Sequence, residues 1–192
     1  GPDGLVWWAH QEKLFRFDPS NDRMIRLSDA QGVLDSVQEI NFLLTAKDGA
    51  SVWIGTNTMG LLHFHPEEGT KAVYQSDSGA VLSLSHNRII AIHEAEEGDL
   101  WLATADGVNH LNTKTQSLKI YKEKDGLPNN FINGLIAEGD SCLWISTDNG
   151  LARLSIEQQT FINFFKQDGL SKNEFNRVSF LTAKDGRFYF GG

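Results

Sequence analysis

The chain has 192 residues, 40% of them hydrophobic, with 18 glycines against 4 prolines, which is enough apolar material for a sizeable core and suits many short turns. Its net charge of −8, with no basic run, would repel a phosphate backbone and excludes nucleic acid as a partner. The single cysteine, Cys142, excludes an internal disulfide, and no apolar run reaches the roughly 18 residues of a membrane helix, so no direct membrane insertion is expected of this segment.

In chain order, the first element is Val6-Trp7-Trp8-Ala9, a worn copy of a phrase that recurs three times. The later copies are Val52-Trp53-Ile54-Gly55-Thr56, Leu100-Trp101-Leu102-Ala103-Thr104 and Leu143-Trp144-Ile145-Ser146-Thr147, and an aromatic version, Phe188-Tyr189-Phe190-Gly191, closes the chain. Subtracting successive positions from Trp7 through Trp53, Trp101 and Trp144 to Tyr189 gives intervals of 46, 48, 43 and 45 residues. One four-stranded propeller blade takes roughly 40 to 50 residues, longer than most helical repeats.

Each copy follows an acidic-glycine turn such as Lys47-Asp48-Gly49 or Lys184-Asp185-Gly186 and precedes a turn ending in Gly60, Gly107 or Gly150. Asp106-Gly107 and Asn149-Gly150 predict tight primed hairpin turns, because these pairs tolerate positive φ. An alternating strand comes next (Val108 to Asn112, for example), then an aromatic-bearing strand around Tyr74, Tyr121 or Phe164. A glycine-leucine turn leads into an apolar run, Phe131 to Ala137 or Phe175 to Ala183, which reads as the innermost strand because it is apolar on both faces.

No segment shows a sustained helical period. The expected fold is therefore all-β: a β-propeller of about four blade equivalents, each of four antiparallel strands. The repeat units run approximately 1–47, 48–96, 97–138 and 139–184, with 185–192 partial. A segment cut from a larger ring of seven or eight blades is expected, and open edges would invite self-association.

The stretches Asp48 to Phe64, Glu97 to Leu111 and Gly139 to Leu154, with Asp125-Gly126-Leu127-Pro128-Asn129-Asn130, resemble the two-component regulator propeller repeat. The resemblance covers residues 3 to 192. It implies the extracytoplasmic, periplasmic sensor region of a bacterial receptor anchored in the inner membrane, whose output module is commonly a histidine kinase or a nucleotide cyclase. Gut-bacterial members of the family often sense oligosaccharides, so a small molecule or an oligosaccharide is the implied ligand. The first copy departs from the pattern, with Trp7-Trp8-Ala9-His10 in place of Trp-Ile-Gly-Thr, and none of the output residues occurs here.

Catalytic signatures are absent: no Gly-x-Ser-x-Gly, no His-Glu-x-x-His and no phosphate-binding loop. His63-x-His65 has metal-ligand spacing, but the slot of His63 holds Arg16, His110 and Arg153 in the other copies, so it reads as a polar outward position, and neither metal nor cofactor is expected. Asn87, Asn130 and Asn173 share a slot and read as residues that bond their own backbone in a left-handed turn. Repeated tryptophans read as packing between blades.

Ligand contacts are sought where the repeat fails. Trp8 stands where the other copies have Ile54, Leu102 and Ile145, and Glu39, Asn133, Asn176 and Arg177 are polar residues at the starts of the inner strands. Such groups are costly to bury unless they are paired or face a wet channel, and propeller ligands sit over the channel mouth. The expected function is a non-catalytic ligand-sensing propeller segment of a two-component-type receptor. The alternatives are a scaffold for protein association and a propeller lyase or hydrolase.

Overall fold

The computed structural model describes residues 4–10, 12–77 and 79–192. Among these residues, seventeen strands form five antiparallel sheets in chain order. The first holds β1 (Val6–His10), β2 (Lys13–Asp18) and β3 (Arg23–Arg26). The second holds β4 (Ile40–Thr45), β5 (Val52–Thr56), β6 (Leu61–His65) and β7 (Gly69–Tyr74). The third holds β8 (Ile89–Glu96), β9 (Asp99–Thr104), β10 (Gly107–Asn112) and β11 (Ser117–Tyr121). The fourth holds β12 (Ile132–Glu138), β13 (Cys142–Thr147), β14 (Gly150–Ser155) and β15 (Thr160–Phe164). The last pairs β16 (Phe180–Thr182) with β17 (Phe188–Phe190).

Each sheet is a meander of neighbouring strands, the build of a propeller blade. The sequence units are offset from the sheets by one strand: a unit opening at Asp48 carries β5, β6 and β7 of one sheet and β8 of the next.

The repeated phrase is buried on both faces because its side chains alternate between two neighbours. Val52 and Ile54 point back into a core shared with Leu14 and Leu27 of the first blade. Trp53 points forward into one shared with Ile89, Leu100 and Leu102. One blade on, Trp101 and Val108 meet Ile132, Leu135 and Leu143. Trp53 and Trp101 are 2% and 1% exposed, and a buried tryptophan removes on the order of 200 Å² from water. At the two ends of the series the equivalent positions are uncovered among the described residues: Val6 and Trp8 on β1, Leu181 on β16 and Tyr189 on β17.

The hairpins after the phrase differ from the primed turns expected. Thr104 pairs with Gly107 across a turn of Ala105 and Asp106, and positive φ falls on Gly107 and Gly150, at 114° and 116°, with neither Asp106 nor Asn149 among the positive-φ residues. The buried threonine that ends the phrase replaces the primed geometry. Thr104 Oγ1 accepts from Asp106 N at 3.1 Å and donates to Gly107 O at 2.9 Å, and Thr147 repeats both bonds. The glycine is required twice over, since a Cβ on Gly107 would sit 2.5 Å from Tyr121 O.

Two further expectations change. The repeated asparagines do not adopt left-handed φ; each reaches a distant backbone instead, Asn87 Oδ1 accepting from Ser76 N, Asn130 Oδ1 from Glu123 N and Asn173 Oδ1 from Lys166 N. The slot therefore pins the connection between blades. The run Phe175 to Ala183, expected as an innermost strand, is strand only at Phe180–Thr182, because its first half departs from the ladder in a widened bulge.

Candidate functional site

The inner strands β4, β8 and β12 lie side by side, and each carries a bulge next to its first residue, at Asn41, Ile90 and Asn133. A bulge re-aims one side chain and frees it from the ladder. In the last sheet the irregularity is larger. From the repeated asparagine to the residue opposite Leu102, Ile145 or Phe190 the chain advances 5, 5 and 7 positions (Asn87 to Ile92, Asn130 to Leu135, Asn173 to Phe180). The two surplus residues come at the turn formed around Arg177 and Val178.

Val178 has φ 55°, a left-handed conformation that a β-branched side chain adopts at a cost of roughly 1–3 kcal/mol. Two backbone bonds hold the segment there: Val178 N donates to Asn133 O at 2.9 Å and Asn176 N donates to Gly191 O at 2.9 Å.

These irregular starts converge on one cleft of about 270 Å³, lined by Glu39, Asn41, Arg88, Ile90, Arg177 and Val178. Two of its polar side chains are held: Asn41 Nδ2 donates to Ile89 O at 3.1 Å, and Arg88 Nε donates to Asn57 Oδ1 at 2.6 Å. Glu39 and Arg177 are exposed, and neither charged group has a hydrogen-bond or ion-pair partner among the described residues. Opposite charges and an amide around a partly apolar floor suit a ligand that offers both donors and acceptors.

Of the residues expected to touch a ligand, Glu39 and Arg177 are brought together here. Asn133 is buried and donates through Nδ2 to Asp148 Oδ1 at 2.7 Å, so its side chain supports the bulge beneath Val178. Asn176 is an exposed neighbour of the cleft whose backbone, not its side chain, makes the bond to Gly191. Trp8 lies elsewhere. It is 47% exposed on the uncovered face of the first sheet, against Phe15 at 5.6 Å and His10 at 5.7 Å between ring centroids. Sequence reasoning missed Asn41, Arg88, Ile90 and Val178. The two-residue surplus between Asn173 and Tyr189 is a signal that could have found Val178; nothing in the repeat marks Asn41, Arg88 or Ile90.

Further along the inner strands, His93 lines a depression with Ile92, Leu135, Ile136, Phe180 and Leu181, and burial followed by the nearby Lys47 charge holds its pKa below the ordinary 6.5. His63, whose slot read as a polar outward position, is instead largely covered and stacks on Trp53 at 3.9 Å between ring centroids. Among the described residues no cluster of three His, Cys, Asp or Glu side chains could hold a metal ion. No helix among them is long and apolar enough to cross a membrane.

Four-stranded meanders in sequence order with their first strands side by side define a β-propeller segment. Residues 83–106, which contain the Trp101 phrase, match the family model described as "Two component regulator propeller". Among solved structures, the chain is similar to the extracellular domain assigned to the hybrid two component system BT3049 of B. thetaiotaomicron, at 24% identity and TM-score 0.77, covering 97% of this chain and 26% of that one. It is also similar to the extracellular domain assigned to the hybrid two component system BT4673 of the same organism, at 19% identity and TM-score 0.75, covering 98% and 27%. The dihydro-heme d1 dehydrogenase NirN shares the fold at 18% identity and TM-score 0.67, covering 99% and 40%. The chain thus spans about a quarter of the length of the two-component structures it matches. No curated protein matches the sequence.

Proposed function

We propose that this chain is an extracytoplasmic ligand-sensing segment of a two-component-type receptor, that it performs no chemistry itself, and that the cleft at the channel mouth contacts the ligand. The observation that carries the reading is the convergence of three irregular strand starts on one cleft, with a strained Val178 in its wall and two unpaired opposite charges, Glu39 and Arg177, at its rim. Strain of this kind persists where the surroundings over-determine it, and it concentrates at functional sites. The match over residues 83–106 and the similarity to extracellular domains of two-component systems support a signalling context and a location outside the cytoplasm.

The ligand class that fits is a small polyhydroxylated molecule such as an oligosaccharide end, which can accept from Arg177 and Asn41 and donate to Glu39. The test is calorimetric titration of the purified chain with a panel of oligosaccharides. Glu39→Ala and Arg177→Ala are each expected to weaken binding by about tenfold or more, the effect of one lost charge-assisted hydrogen bond, while Trp8→Ala leaves it unchanged. Binding that survives both cleft substitutions, or turnover of any sugar that those substitutions abolish, would overturn the proposal.

A further inference from the structure

At the opposite end of the inner strands, between the second and third blades, a cavity of about 140 Å³ is lined by Ala46, Trp53, His63 and Lys71 among others. Trp53 Nε1 and His63 Nε2 are both buried and neither has a hydrogen-bond partner, the acceptor nearest His63 Nε2 being Asp48 Oδ2 at 3.9 Å, too far for a hydrogen bond. A buried polar group left unpaired costs on the order of 1–3 kcal/mol, so two at one cavity call for an occupant. The carboxylates nearby are already taken: Glu94 accepts from Lys47 N at 2.7 Å and Gly98 N at 2.8 Å, Asp48 from Ala50 N, Ser51 N and Ser51 Oγ, and Glu97 pairs with Lys114 at 3.3 Å. What remains is nitrogen, so the occupant must supply an acceptor.

The fourth blade shows which acceptor fits. There Trp144 Nε1 donates to Glu138 Oε2 at 3.0 Å, and Arg153, across the ladder from Trp144 as His63 is from Trp53, donates to the same oxygen at 2.9 Å. Glu138 stands opposite Cys142. In the second blade the residue bonded opposite Ser51, the equivalent of Cys142, is Ala46. One blade thus fills the slot with its own carboxylate, and the other leaves the same slot open with the same tryptophan edge facing it.

We propose that the cavity beside Ala46 is a binding site for the carboxylate group of a small solute, held by Trp53 Nε1–H and His63 Nε2–H where Glu138 sits in the fourth blade. His63 donates from the tautomer protonated at Nε2. The site is distinct from the channel mouth and stands whether or not the cleft there binds sugars.

The test follows the indole N–H signals of the intact chain by two-dimensional NMR during titration with formate and acetate, with the neutral isostere formamide as control. The Trp53 signal is expected to shift saturably with formate and acetate, with a dissociation constant on the order of 1–10 mM, the range open to so small a ligand, while the Trp144 signal, already capped by Glu138, stays put. Ala46→Glu is expected to move the Trp53 signal to its formate-bound position and to abolish the response. Ala46→Gln, which offers an acceptor without charge, serves should the glutamate variant not fold, and is expected to weaken the response at least tenfold. A Trp53 signal that ignores formate, that moves linearly together with Trp144, that responds equally to formamide, or that still responds fully in the Ala46 variants would overturn the proposal.

Discussion

At the scale of single residues, equal chemistry carries unequal weight because of where the blades place it. Trp101 is 1% exposed between two blades and stacks on His110 at 4.0 Å, whereas Trp8 stands on an uncovered face. Trp101→Ala is expected to cost about 3–5 kcal/mol of stability and Trp8→Ala less than about 1.5 kcal/mol, checked by chemical denaturation at low protein concentration; comparable losses would overturn the division. Burial first, and the charge of Lys71 next, also hold the His63 imidazole below the ordinary value of 6.5, and burial does the same to His93. In the unfolded chain both take up protons near 6.5, in the folded one only at lower pH, so over that interval the unfolded state binds more protons and stability rises with pH. The melting temperature is therefore expected to fall as pH drops from about 7.5 to about 5.5, and less steeply in His63→Gln and His93→Gln variants. A profile indifferent to both substitutions would contradict this.

At the scale of elements, the hairpin that ends each repeated phrase depends on a hydroxyl. Thr104 Oγ1 is buried and makes two bonds that close the turn. Thr104→Val keeps the shape, removes both of these bonds together with the 2.9 Å bond to Ser85 Oγ, and leaves the Asp106 N–H without its acceptor; the expected loss is about 1–3 kcal/mol, with Thr104→Ser recovering most of it. Equal stability of the valine and serine variants by thermal melting would show the hydroxyl to be idle. The threonine was visible in the sequence as the last letter of the phrase, but its role was not, because a turn of two residues plus a glycine can close in more than one way and only the φ values distinguish them.

At the scale of the whole molecule, the two terminal sheets show exposed apolar side chains, Val6, Trp8 and Met24 on one side and Leu181 and Tyr189 on the other, and the equivalents of Val6 and Trp8 in the middle blades, such as Val52 and Ile54, are fully buried. We propose that the 192-residue chain by itself associates through these faces. Light scattering is expected to show a mass that grows with concentration, with Trp8→Lys shifting the growth to higher concentration, since a charge on that face must be desolvated for the contact to form. A monomer over the whole range would refute it.

Much of the architecture was legible because a propeller blade writes itself as a period. Tryptophan spacing, turn glycines and two-sided apolar phrases are local consequences of strand alternation, so the all-β class and the position of nearly every strand follow from the residues in order. The interleaving of Trp53 and Ile54 toward opposite neighbours follows in the same way. The candidate sites were only half legible. Glu39 and Arg177 could be singled out as polar residues in apolar runs, but they are 138 positions apart in the chain, and only the side-by-side placement of the inner strands brings them to one cleft. The widened bulge at Val178, the burial of Asn133 beneath it, the displacement of Trp8 to an outer face and the empty slot beside Ala46 were likewise decided by tertiary structure. Each depends on which side chain from a neighbouring blade does or does not fill a space, and a one-dimensional pattern carries no term for that.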